Sequence, residues 1–155
     1  SWLQDQYHGE KTASLRIKSE FGKFRLSLSQ WFLVDKIARE EDLHASWIAE
    51  LLYTRGITAS ILSKTERYWD KTLVNMDTIE DVAAIAHHAE NMRLERIKVI
   101  VEDEHTPPDI REVFSKILPM EVRHEKWFAS LSSSDAIQNH KNNHEAGREV
   151  LGLVN

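Results

Sequence analysis

Two short patterns in this chain could hold metal ions. Glu41 and His44 stand three residues apart, as do Glu121 and His124. On a helix that spacing puts carboxylate and imidazole on one face. Imidazole nitrogen and carboxylate oxygen together suit iron or manganese better than the thiolate-loving metals. Glu-x-x-His pairs also arise by chance in a chain rich in both residues. Glu102 and His105 form such a pair with no counterpart elsewhere, and it reads as a decoy.

The other two pairs gain weight from a repeat. Sliding the chain on itself by 80 residues lays His8 on His88 and Glu10 on Glu90. Arg16-Ile17-Lys18 falls on Arg96-Ile97-Lys98, and Lys36-Ile37 on Lys116-Ile117. Glu41, His44 and Trp47 meet Glu121, His124 and Trp127, while Ala49 and Leu51 meet Ala129 and Leu131. Unrelated segments of ordinary composition agree at roughly 6% of positions. The agreement here is several times that and needs no gap, so the two halves read as copies of one helical hairpin. Four carboxylates facing one interior would repel and lose hydration. Two divalent cations would offset those four charges. A constellation of two single glutamates and two Glu-x-x-His pairs is known from di-iron carboxylate bundles. On that template Glu41 and Glu121 bridge two metals, Glu10 and His44 cap one, and Glu90 and His124 cap the other.

Other residues are weaker candidates. Tyr7 and His87 precede Glu10 and Glu90 by three residues, sharing their face, and could support the ligands or line a substrate pocket. His8 and His88 are expected to point sideways, and Trp47 and Trp127 to anchor the core. His140 and His144 form an i, i+4 pair, read as part of a solvated polar helix.

The elements that must position these groups are helical. Only five Gly and three Pro occur in 155 residues, so long uninterrupted elements are expected. Apolar spacing predicts helices over about 2–21 and 26–53, the second stopped by Gly56. A connection over 56–77 carries one short helix. Asp77-Thr78-Ile79-Glu80 opens a third long helix running to about 104. Pro107-Pro108 opens a fourth, to about Leu131, with a kink expected at Pro119. A last helix is expected over about 135–151. The fold class is therefore all-α: one domain over 1–155, a four-helix bundle of two hairpins (about 2–55 and 78–131) joined by a long crossover, plus a C-terminal helix.

Composition excludes several classes. There is no cysteine, so disulfides, thiolate catalysis and iron–sulfur centres are absent, a rubredoxin-type iron included. The net charge of −5 with scattered basic residues argues against nucleic acid. No apolar run reaches the ~18 residues of a membrane span. The start, Ser1-Trp2-Leu3-Gln4-Asp5, is not a signal peptide and reads as though the chain opens inside a helix. A cytoplasmic protein is expected.

Three segments carry a family resemblance. Met120-Glu121-Val122-Arg123-His124-Glu125-Lys126-Trp127-Phe128 resembles the fourth-helix segment of the rubrerythrin-like branch of the ferritin-like superfamily. Glu40-Glu41-Asp42-Leu43-His44-Ala45 resembles its second-helix counterpart, and His87-His88-Ala89-Glu90 its third-helix glutamate region. The resemblance covers about residues 3–131. Arg93 stands one turn after Glu90, where the family places a further glutamate. The resemblance implies a ferritin-like fold, two iron ions (or manganese, or one of each) and no haem. It also implies an oxidoreductase that reacts with peroxide or dioxygen and takes electrons from a separate donor. Ferritin-like iron oxidation for storage or detoxification, an oxygenase, and a structural bundle without metal are the alternatives. A homodimer is plausible for each.

Overall fold

The computed structural model describes residues 1–63 and 66–153. The expected single domain over 1–155 and connection over 56–77 include residues 64, 65, 154 and 155, which lie outside the described residues. The elements are α1 (Trp2–Phe21), α2 (Leu28–Tyr53), α3 (Arg67–Thr72), α4 (Ile79–Glu102), α5 (Pro108–Leu131), α6 (Ser134–Asn139) and α7 (Lys141–Val150). No strand occurs among the described residues. The order is that of two long helices, a long connection carrying α3, and two more long helices.

Local chemistry sets the ends. Ser1 caps α1 by accepting from the Gln4 backbone N–H. Ser27 and Gln30 form a reciprocal capping box at α2, each side chain holding the other's backbone N–H. Thr78 and Asp81 do the same at the start of α4. Gly56 takes φ +72°, the left-handed region, just after α2. Pro119 lies inside α5, which continues to Leu131.

The chain divides into two compact units. The first holds Ser1–Ser63 and Ile97–Met120. Its core joins Leu3, Ile48, Leu51, Leu52, Ile97, Ile110, Phe114 and Ile117, with Tyr7 and Trp47 packed against it. The Trp2 and Phe114 rings meet at 5.3 Å. Arg55 grips both carboxylate oxygens of Asp109, at 2.9 and 3.0 Å. Along α1 and α2 the buried positions recur at helical spacing, and they include Glu10, Glu41 and His44.

The second unit holds Lys64–Arg96 and Glu121–Asn155. Here the expected single C-terminal helix is two, broken at His140, which ends α6 and precedes α7. Nor is this segment a solvated polar helix. His140 is buried and its Nε2–H donates to Asp81 at 2.8 Å. His144 Nδ1 lies 2.8 Å from the Tyr68 hydroxyl, and its ring stacks on His88 at 4.8 Å. At Gly147, α7 approaches α3 so closely that an added Cβ would lie 2.6 Å from the Tyr68 ring. His140 and His144 face α3 and α4 instead, while Lys141, Asn142, Glu145 and Glu149 are exposed.

Candidate metal centre

Each unit contributes one buried group of three ligand-bearing residues. In the first, Glu10 comes from α1, and Glu41 and His44 from one face of α2. Their donor atoms all lie within 4.8 Å of one another. In the second unit, Glu90 of α4 joins Glu121 and His124 of α5, again with donors within 4.8 Å. All six residues are 4% exposed or less. Water therefore cannot stabilise four carboxylates at these positions, and they must either be neutralised by protons or be compensated by positive charge.

In both groups an imidazole Nδ1 faces a carboxylate, from the neighbouring helix in the first and from its own helix in the second. His44 Nδ1 lies 3.5 Å from Glu10 Oε2, and His124 Nδ1 lies 3.5 Å from Glu121 Oε2. That is long for a hydrogen bond. It is close to the ligand–ligand separation around one cation, because metal–ligand bonds of about 2.1 Å at tetrahedral or octahedral angles put two donors roughly 3 to 3.5 Å apart. On the other side of its ring, His44 Nε2 lies 3.3 Å from Met120 Sδ. A thioether only accepts, so Nε2 carries the proton and Nδ1 keeps its lone pair for a cation. Trp47 flanks His44 with centroids 5.7 Å apart at 30°, and Trp127 flanks His124 at 5.9 Å and 34°. Geometry, burial and donor chemistry all fit divalent metal.

One cation does reach the second group. Arg93 Nη1 lies 3.8 Å from Glu90 Oε1 and 3.9 Å from Glu121 Oε1.

The remaining candidates have other partners. Tyr7 packs against the first unit's core. His87 Nδ1–H donates to the Glu125 carbonyl at 3.1 Å. Glu102 and His105 are exposed. His8 and His88, expected to point sideways, each hold a segment outside the long helices. His8 Nδ1 accepts from the Leu62 N–H at 3.0 Å, tying the connection to α1. His88 Nε2–H donates to the Ile137 carbonyl at 2.8 Å, tying α6 to α4. Their coincidence in the repeat was the only signal for this shared role.

Around His144, burial and then the neighbouring His88 and Arg148 push the imidazole down to about 4, so it is neutral at pH 7. Burial also lowers His88. Burial raises the Asp81 carboxyl, but hydrogen bonds from His140, Thr78 and the Asp77 backbone more than reverse it and hold the group low.

Helices carrying Glu, Glu-x-x-His, Glu and Glu-x-x-His in that order define a ferritin-like carboxylate protein. The rubrerythrin family model matches residues 7–132, and the chain belongs to that family. No curated protein and no solved structure matches it.

Proposed function

We propose that this chain is a di-iron carboxylate oxidoreductase whose two groups of buried ligands would hold the irons. Glu10, Glu41 and His44 would hold iron in one group, and Glu90, Glu121 and His124 in the other. The observation that carries this reading is the burial of four carboxylates and two imidazoles, each drawn from the helix the sequence repeat assigns it to. Membership of the rubrerythrin family supports iron as the metal. Manganese in one or both positions is the variant of this reading.

Bound iron would supply the redox chemistry with peroxide or dioxygen. The chain's own groups do the rest. Four carboxylates offset the charge of two divalent ions. Met120 holds the His44 ring so that Nδ1 faces Glu10. Trp47 and Trp127 pack beside the histidines and restrict how far each ring can turn. A separate electron donor is part of the proposal, since these 155 residues contain no cysteine. So is a homodimer, supported by the exposed apolar side chains Leu28, Trp31 and Phe32 at the start of α2. A cytoplasmic site of action is also part of the proposal, and no described helix is long and apolar enough to cross a membrane.

The reaction is tested by mixing the Fe(II)-loaded protein with peroxide and, separately, with dioxygen, following iron oxidation and the particle size. Oxidation at two irons per chain, reversed by an added reductant over many cycles, is expected. Iron accumulating far beyond two per chain in a large cage would replace this reading with storage.

A further inference from the structure

A buried tyrosine of the second unit is hydrogen-bonded to a base. Tyr68, on α3, is 4% exposed. Its hydroxyl lies 2.8 Å from Nδ1 of His144 on α7 and has no other partner among the described residues. Were Nδ1 protonated, it would donate to the phenolic oxygen and leave a buried O–H without an acceptor. Tyr68 therefore donates and Nδ1 accepts. Burial, with His88 and Arg148 nearby, keeps His144 neutral at pH 7, so its lone pair is in place. The two rings meet edge-on at 5.9 Å, and the close approach at Gly147 holds α7 against Tyr68. His144 also lies flat on His88, with centroids 4.8 Å apart at 13°. His88 stands two residues before Glu90 on α4.

We propose that Tyr68 and His144 form a one-electron redox pair that serves the metal centre. Removing an electron alone would leave a buried positive charge on the phenol, which is costly. The hydrogen bond avoids that. Tyr68 loses one electron, its O–H bond breaks, and an N–H bond forms at His144 Nδ1. A neutral phenoxyl radical and an imidazolium result. The electron goes to the iron centre once peroxide or dioxygen has oxidised it, and reduces it by one unit. The source of oxidant rests on the di-iron reading above; the pair itself does not. When the external donor returns an electron to Tyr68, the proton goes back to the phenolic oxygen. Burial and Arg148 favour that return, because both disfavour a charged His144. The C-terminal segment thus delivers the base that makes Tyr68 oxidisable.

The test uses the full chain in two states, both read by electron paramagnetic resonance. Fe(II)-loaded protein is mixed with peroxide and freeze-quenched. Metal-free protein is oxidised by flash photolysis with a ruthenium tris(bipyridine) sensitiser and a sacrificial electron acceptor. A long-lived tyrosine radical is expected in both states, kept in Tyr7→Phe and Tyr53→Phe and lost in Tyr68→Phe. His144→Gln keeps a hydrogen-bond acceptor but offers no base. It should lower the radical yield about tenfold, which corresponds to about 1.4 kcal/mol. Radical formation should slow in D2O in the wild type. Should Tyr68→Phe fail to fold, ring-deuterated tyrosine and His144→Gln decide alone. A radical on Tyr53 or Trp69 instead, or one as strong in His144→Gln as in the wild type, would overturn the inference. So would a loaded protein that keeps and oxidises two irons without any tyrosine radical, and the di-iron reading would then stand. A Tyr68 radical in metal-free protein, from a chain that retains no iron, would support the pair and sink the di-iron reading alone.

Discussion

Glu41 and Glu121 are wholly buried, and so are the histidines three residues after them. A carboxylate in such a place costs several kcal/mol unless a cation compensates it. Site and stability should therefore pull apart on substitution. Glu41→Gln keeps the shape and removes one charge. The metal-free variant should melt higher than metal-free wild type, by a few degrees, which corresponds to about 1–2 kcal/mol. The same variant should hold less iron after desalting. Thermal melts of the two metal-free proteins check the first part, and a lower melting temperature in Glu41→Gln would contradict it. At this scale the sequence was highly legible: glutamate and histidine repeating at matched positions is hard to explain by packing. Arg93 was visible as a residue out of place, but its reach to two carboxylates depends on a side-chain conformation that no spacing reveals.

At the scale of the element, the long helices were readable because each carries its own punctuation. Expected and observed limits agree for α1, and α5 begins at Pro108 and ends at Leu131. Pro119, where a kink was expected, lies inside α5 and does not end it. The C-terminal segment was misread for a definite reason. Its polar residues are satisfied by partners far away in sequence: His140 by Asp81, and His144 by Tyr68. Two predictions follow from that packing. Gly147→Ala should destabilise the α3–α7 contact by about 1–3 kcal/mol, since a methyl cannot fit against Tyr68 without displacing it. Hydrogen exchange in α7 should accelerate in the variant. The second concerns pH. His144 titrates at about 4 when folded and near 6.5 when unfolded. The unfolded form binds more protons between those values, so the contribution is complete above pH 6.5 and is lost as pH falls towards 4. The amides of α7 should lose protection across that window. Unchanged protection down to pH 4 would contradict the assignment, as would the same loss in His144→Gln.

For the whole molecule, family membership and fold class were legible because they rest on pattern, and pattern survives without coordinates. Which reaction the protein performs was not, because ligand sets of this kind serve several chemistries. Binding linked to folding offers a global readout. At a free metal concentration a hundred times the dissociation constant, one site adds about 2.7 kcal/mol of stability. In a chain of this size that raises the melting temperature by roughly 5–10 °C. A chelator should reverse it.

The most direct measurement is an anaerobic Fe(II) titration of metal-free protein, with iron counted after desalting, beside the double variant Glu41→Ala/Glu121→Ala. Two irons per chain in the wild type, lost in the variant, is the predicted result. No retained iron, or equal retention in both, would contradict the account and leave a helical protein whose buried acids serve some other purpose.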